Sequence, residues 1–288
     1  MNTASTHPAQ TLANASPPET FDNGYGRARL RLGIAGVGLW VVFSVVMLSV
    51  DGAAWTRQQL PAGYLGDIAI IAMLLMTYVL IQIPFDWLGG HQTPKRFNRQ
   101  APPAVAYVPV LIRGIAVHAA LLFTAAMVLY FGGVLGGIAG AFIAGLVWLL
   151  VLAVARGVFA QLMAKMTPVT SIHDKLGTEL FDSDDEGFTG GITGLIKPNT
   201  NILPNGWNAR LSSEQFDLAK ARRQKVTQSG AWRAGRIGAF TFTAVGLLLA
   251  LLLSGPGQAG TGAGVIESAL WFTLWSFAGL LVLPTLSR

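Results

Sequence analysis

The sequence predicts a mainly α, polytopic membrane protein: six transmembrane helices with a small α+β cytoplasmic insert between helices 4 and 5. Three features carry that expectation. Six apolar stretches are long enough to cross a bilayer, one polar stretch separates the fourth from the fifth, and positive charge is concentrated in alternate loops. The composition agrees. Hydrophobic residues make up 52% and charged residues 12% of the 288, about half the charged fraction usual in soluble domains. Mean hydropathy is +0.51.

The N-terminal 1–29 are rich in Ser, Thr, Ala, Pro and Asn and read as a disordered cytoplasmic tail. A hydrocarbon core of about 30 Å takes about 20 residues of helix. The candidate spans are 32–50, 67–85, 110–131, 136–155, 237–254 and 265–283. Each is expected to be helical, because an unpaired backbone amide is costly in lipid. The first begins too late and runs too long for a typical cleaved signal peptide and reads as an uncleaved anchor. The organisation that follows is a four-helix membrane part over 30–163, a cytoplasmic insert over 164–236 and a two-helix membrane part over 237–288.

Charge sets the expected orientation. Arg27, Arg29 and Arg31 precede the first span, and Lys95, Arg96 and Arg99 follow the second. The insert has ten Lys and Arg, and the chain ends in Arg288. The opposite loops hold only Arg57. By the positive-inside rule both termini and the insert face the cytoplasm, and a bacterial inner membrane is the expected location. The net charge of +6 is therefore assigned to topology, and nucleic acid is not an expected partner. With no cysteine, disulfides, thiolate catalysis and Cys-held metal centres are excluded, and no cofactor is expected.

Ionisable groups within spans are functional candidates. His118, two turns into the third span, reads as a neutral imidazole bonded across helices, and Arg156, near the end of the fourth, as a snorkelling cation. Asp67 and Glu267 fall at outer span ends, where water is expected to reach them. Gly132, Gly136, Gly140 and Ala144 recur every four residues, a spacing that lets helices approach closely. After the second span, Gly89 and Gly90 are expected to end the helix, and Asp86 to cap it or bind a cation such as Arg96.

In the insert, Asp182-Ser183-Asp184-Asp185-Glu186 reads as a solvated acidic loop lacking the pattern of an EF-hand. The glycine-rich run 187–195 has no following Gly-Lys-Ser/Thr, so no phosphate loop is expected. It reads instead as a β-hairpin, with a strand near 191–196, a turn at Pro198-Asn199 and a second strand near 201–203. Ser212 stands three residues before Gln215, a capping-box spacing that starts a helix. That helix turns basic at Lys220, Arg222, Arg223 and Lys225, and Arg233 and Arg236 precede the fifth span. Cations so placed favour anionic headgroups by about 1 kcal/mol each. Lys220, Lys225, Arg233 and Arg236 are the candidate lipid- or partner-binding residues.

The glycine-rich segment, Ile202-Leu203-Pro204, Leu211-Ser212-Ser213-Glu214-Gln215-Phe216 and a helix running towards a span together resemble the integral-membrane zinc metallopeptidases of the HtpX and CAAX-prenyl-processing type. The resemblance covers about the last 100 residues. It implies that the first His of His-Glu-x-x-His falls on Arg222, the catalytic Glu on Arg223 and the second His on Val226. Arginine stays protonated and valine has no lone pair, so neither zinc binding nor general-base work follows. The family's third ligand, a Glu on a later helix, has no counterpart. The implied protein is a peptidase-like scaffold without catalytic or metal residues, a pseudoenzyme acting by peptide, partner or lipid binding.

Two other functions compete. A small-solute or lipid transporter would need polar groups around one cavity, and His118, Thr124, Thr241 and Thr243 are the candidates. A membrane-bound, peptidase-related enzyme would draw on Asp86, His91 and His173-Asp174 at the cytoplasmic face.

Overall fold

Among the described residues of the computed structural model, five helices are long and apolar enough to cross a membrane. The structure describes residues 23–99, 101–164, 166–172, 177–183, 190–192, 201–228 and 230–286; at 23, 156, 157, 159–161, 163, 164, 170–172 and 281–286 it describes the backbone alone. In chain order the membrane-length and adjoining helices are α1 Asn23–Ser49, α2 Gly52–Gln58, α3 Tyr64–Trp87, α4 Thr93–Arg96 and α5 Ala104–Ala164. A small sheet follows, formed by β1 Thr167–Ile172, β2 Thr178–Asp182, β3 Gly191–Ile192 and β4 Asn201–Pro204. The chain ends in α6 Asn205–Arg210, α7 Ser213–Gln228, α8 Ala231–Leu253 and α9 Gly262–Leu286. The first helix thus begins at Asn23, within the tail expected to be disordered.

The 61 residues of α5 are two helices joined at Gly136 (φ −149°, ψ 21°) and Gly137 (φ 59°, ψ −145°). The chain folds back on itself there. A Cβ on Gly132 would lie 2.7 Å from that of Ala144, and a Cβ on Gly140 would overlap the Gly132 carbonyl. The four-residue glycine spacing does serve close packing, but Gly136 belongs to the turn and not to the packed face.

Most side chains on these helices face outward, as expected where lipid and not water is the solvent: Leu135, Val154 and Leu80 are all exposed. The interior is built around α9, which packs on α1, α3 and α8. Ala263, Ile266 and Leu270 of α9 meet Ile70 and Ala53 in one cluster. Val265 meets Ile71 and Tyr130 in another. Between α8 and α9, Trp275 stacks on Phe242 at 4.8 Å and donates Nε1 to the Phe242 carbonyl at 3.0 Å. Gly246 faces the same indole, so Trp275 is a packing residue. Trp40 likewise packs, on Phe43 and Tyr78.

After α3 the chain does not stop at its two glycines. It continues through a π-helical turn, Leu88–Gln92, directly into α4. Gly90 has no side chain because Tyr107 fills that space, its hydroxyl donating to the Asp86 carbonyl at 2.9 Å. Asp86 accepts from Gln82 at 3.2 Å, in place of the expected cap or Arg96 contact. The helical segment ends at Asn98 (φ 52°), where the Asn98 amide donates to the Lys95 carbonyl and the Arg99 amide to that of Pro94. These paired bonds form a Schellman C-cap with Asn in the left-handed position.

The sheet has the order β1-β2-β4-β3. β1 and β2 are antiparallel, with an irregularity at Pro168, whose missing amide suits an edge strand. β2 and β4 are parallel, and β3 pairs antiparallel to β4 with Gly191 opposite Ile202. The expected 191–203 hairpin is thus present at its two ends, its turn lying outside the described residues. The β1–β2 hairpin was not anticipated, although Thr167-Pro168-Val169-Thr170-Ser171-Ile172 and Thr178-Glu179-Leu180-Phe181 carry the β-branched and aromatic bias of strands. Alternation puts Phe181 and Ile202 on one face with Met166, and Leu180 and Leu203 on the other with Phe216 of α7. The start of α7 is the expected capping box: the Gln215 amide donates to Ser212 Oγ at 3.3 Å, and the Ser212 amide to Gln215 Oε1 at 3.1 Å.

Candidate functional site

The three positions aligned with a metallopeptidase motif do not converge. Helix α7 lays Phe216 against the sheet and turns Arg223 to the same side, where Nη1 donates to the Ile202 carbonyl at 2.9 Å and to Asn201 Oδ1 at 3.2 Å. Asn201 is itself buried and donates to Thr178 Oγ1 at 3.2 Å. Burial draws the Arg223 pKa below that of a solvated arginine, yet it stays a cation, because arginine starts so high. Arg223 is therefore a clasp between helix and sheet. Arg222 and Val226, one helical turn apart, face outward.

The candidate binding cations divide as well. Lys220 pairs with Asp217 at 2.7 Å and covers the Phe216 ring, so it is engaged within its own helix. Arg236 lies over the Trp232 ring at 5.2 Å. Lys225 and Arg233 are exposed. With Leu218, which is 69% exposed, Arg222, Lys225 and Val226 form one outer stripe at offsets of four, seven and eight residues.

Within the bundle, His118 Nε2 and the Tyr78 hydroxyl lie 3.1 Å apart with their rings stacked, the interhelical bond expected of it. The side chain of Arg156 lies outside the described residues. Thr124 and Thr243 close on the carbonyls of Ala120 and Ala239 in their own helices. His91 is buried between Trp87 and Tyr107, with Nε2 2.9 Å from Lys95 Nζ. His173 and Asp174 lie outside the described residues, as do 184–186 of the acidic run. Asp182 is exposed and accepts from Asn205. No group of three or more candidate metal ligands occurs among the described residues.

One polar site was not anticipated. Asp67 was expected at a water-washed span end, and the structure buries it. Its Oδ1 accepts from Arg57 Nε at 2.7 Å and from the Gly262 amide at 3.0 Å, and its Oδ2 from the Tyr130 hydroxyl at 3.1 Å. Arg57 also donates to the carbonyls of Pro61 (2.9 Å) and Gly63 (3.1 Å). One carboxylate thus ties the α2 segment, α3, α5 and the start of α9. A cleft of about 410 Å³ opens beside it, lined by Tyr64, Asp67, Tyr130, Gly133 and Thr261 among others. The signal was present in the sequence: Arg57 is the lone cation of its class of loops, and Asp67 stands ten residues on in an apolar helix.

Gly133 sets the width of this end of the bundle. A Cβ there would overlap the Ala259 carbonyl, and Ala259 is itself buried. Gly133→Ala is expected to cost about 2 kcal/mol, as overpacking does, and to lower the melting temperature in detergent. Gly238→Ala, where nothing lies within 4 Å, is the matched control and should leave the melt unchanged.

No protein-family model matches the chain, and no curated protein matches it.

Proposed function

We propose that this is a six-span integral membrane protein of a bacterial inner membrane, with both termini and the insert in the cytoplasm. The insert acts by binding and not by catalysis, resting the outer stripe of α7 on anionic headgroups. The fold-back at Gly136 and Gly137 supports the span count, since each half of α5 has membrane length. The charge asymmetry supports the orientation.

The observation that carries the binding reading is the outer stripe of α7. Leu218 and Val226 are exposed beside Arg222 and Lys225, on a helix only two residues from the span α8. Apolar and cationic groups on one face, next to a membrane helix, match the headgroup boundary, where alkyl groups dip and cations pair with phosphates. The metallopeptidase resemblance fits this reading as ancestry alone: the position of the catalytic Glu holds Arg223, which bonds the sheet.

The chain has no cysteine, so Val226→Cys gives a single labelling site. With an environment-sensitive dye there, full-length protein in vesicles containing phosphatidylglycerol should show a blue-shifted spectrum relative to phosphatidylcholine alone. Adding Arg222→Gln and Lys225→Gln should weaken the association by about 2 kcal/mol. Identical spectra in both lipids would overturn the binding reading. Chelator-sensitive proteolysis by purified protein would overturn the non-catalytic one.

A further inference from the structure

At the start of α1, two guanidinium groups lie beside one phenol ring, one from α1 and one from the turn just past α4. Arg99 Cζ lies 4.1 Å from the centroid of Tyr25, and Arg29 Cζ lies 5.9 Å from it. Arg29 stands one turn after Tyr25 on α1. Arg99 arrives from α4, delivered by the left-handed Asn98 and the bond from the Arg99 amide to the Pro94 carbonyl. Phe97 locks the two segments together, edge-on to Tyr25 at 5.8 Å. The convergence is built by a specific cap and an aromatic contact, and does not arise from two loose side chains.

Bringing like charges together is unfavourable unless a counter-charge sits between them. Neither Arg29 nor Arg99 belongs to an ion pair among the described residues, where the ion pairs are Arg57–Asp67 and Lys220–Asp217. Both are exposed. A guanidinium stacked on an aromatic face keeps its N–H edge free for bidentate bonding to an oxyanion. The depth is also defined, because α1 becomes apolar within three turns of Tyr25, from Ile34 on.

We infer that Tyr25, Arg29 and Arg99 form a discrete binding site for one phosphate monoanion at the membrane boundary, the phosphodiester of an anionic lipid headgroup. This is a stoichiometric clamp between α1 and α4, separate from the surface contact proposed for α7. It rests on the membrane reading of the fold but not on the role of the insert.

The test uses full-length protein in a neutral detergent, with melting temperature and native mass spectrometry as readouts. Short-chain phosphatidylglycerol should raise the melting temperature and leave one lipid retained, and phosphatidylcholine should do neither. Arg29→Gln and Arg99→Gln should each weaken the response about tenfold, with lipid-free melting unchanged. Arg99→Lys, which keeps the charge but loses the planar fork, should also lose most of it; that variant serves if Arg99→Gln fails to fold. Arg222→Gln/Lys225→Gln removes the α7 surface and should still leave the one lipid retained in native mass spectrometry, which separates failure of the clamp from failure of the α7 surface. An equal response to inorganic phosphate supports the site and assigns it to a soluble phosphate. Undiminished lipid retention in Arg29→Gln and Arg99→Gln overturns the clamp.

Discussion

Asp67→Ala is expected to destabilise the folded protein by about 3 kcal/mol, the largest single-residue effect anticipated in this chain. The substitution leaves Arg57, the Gly262 amide and the Tyr130 hydroxyl without their shared acceptor. The Arg57 and Asp67 side chains are 21% and 12% exposed, so solvent compensates only in part, which places the estimate at the lower end for a broken buried pair. Arg57→Ala should be costly too, since it also releases the carbonyls of Pro61 and Gly63. The two changes should not add. A double-mutant cycle on denaturant or thermal unfolding in detergent should give a coupling energy above about 1 kcal/mol. Additive losses would mean that the pair contributes no mutual stabilisation. Tyr130→Phe, which removes one donor and keeps the ring, should cost only about 1 kcal/mol.

The second large effect is expected in the insert. Arg223→Ala removes two hydrogen bonds from a charged donor and leaves Asn201 Oδ1 in a buried place without that partner. About 2 kcal/mol should be lost, and locally. Hydrogen exchange should accelerate in β2, β4 and α7, while amides in the interior of α9 keep their protection. Arg223→Lys should recover only part of the loss, since lysine is one atom shorter and sets its ammonium short of the place where Nη1 serves both acceptors. Arg223→Glu should be worse than alanine, because it sets a carboxylate against the Ile202 carbonyl. The triple change Arg222→His, Arg223→Glu, Val226→His should yield no chelator-sensitive proteolysis, because 222 and 226 face away from the sheet. If exchange rises equally throughout the chain, Arg223 is not a local clasp.

The apolar stretches were readable because membrane-spanning helices announce themselves by length and hydropathy alone. The Ser212–Gln215 cap was readable for a related reason, its determinants all lying within four residues. What escaped is non-local. Asp67 looks like a surface carboxylate until a chain segment 195 residues away supplies the Gly262 amide. Arg223 looks like one more headgroup-seeking cation until the sheet is built beneath it. The strand β1 was obscured by Pro168, which argues against a strand interior but is tolerated at an edge with an irregular register. Gly89-Gly90 looked like a helix stop because glycine is conformationally free. Their service is steric within a continuing helix, Gly90 making room for Tyr107 and Gly89 for Leu32.

The separation in sequence between Asp67 and Gly262 has a consequence for biogenesis. A ribosome delivers α1 to α5 to the membrane well before it has made α9. During that interval Asp67 can hold Arg57 and Tyr130 but not its last donor, and the faces of α1, α3 and α8 that α9 will cover stay open. Closure of this end of the bundle therefore awaits α9. A nascent chain stalled before Gly262 would therefore leave the Asp67 carboxylate short of a donor and the faces of α1 and α3 uncovered at the same time.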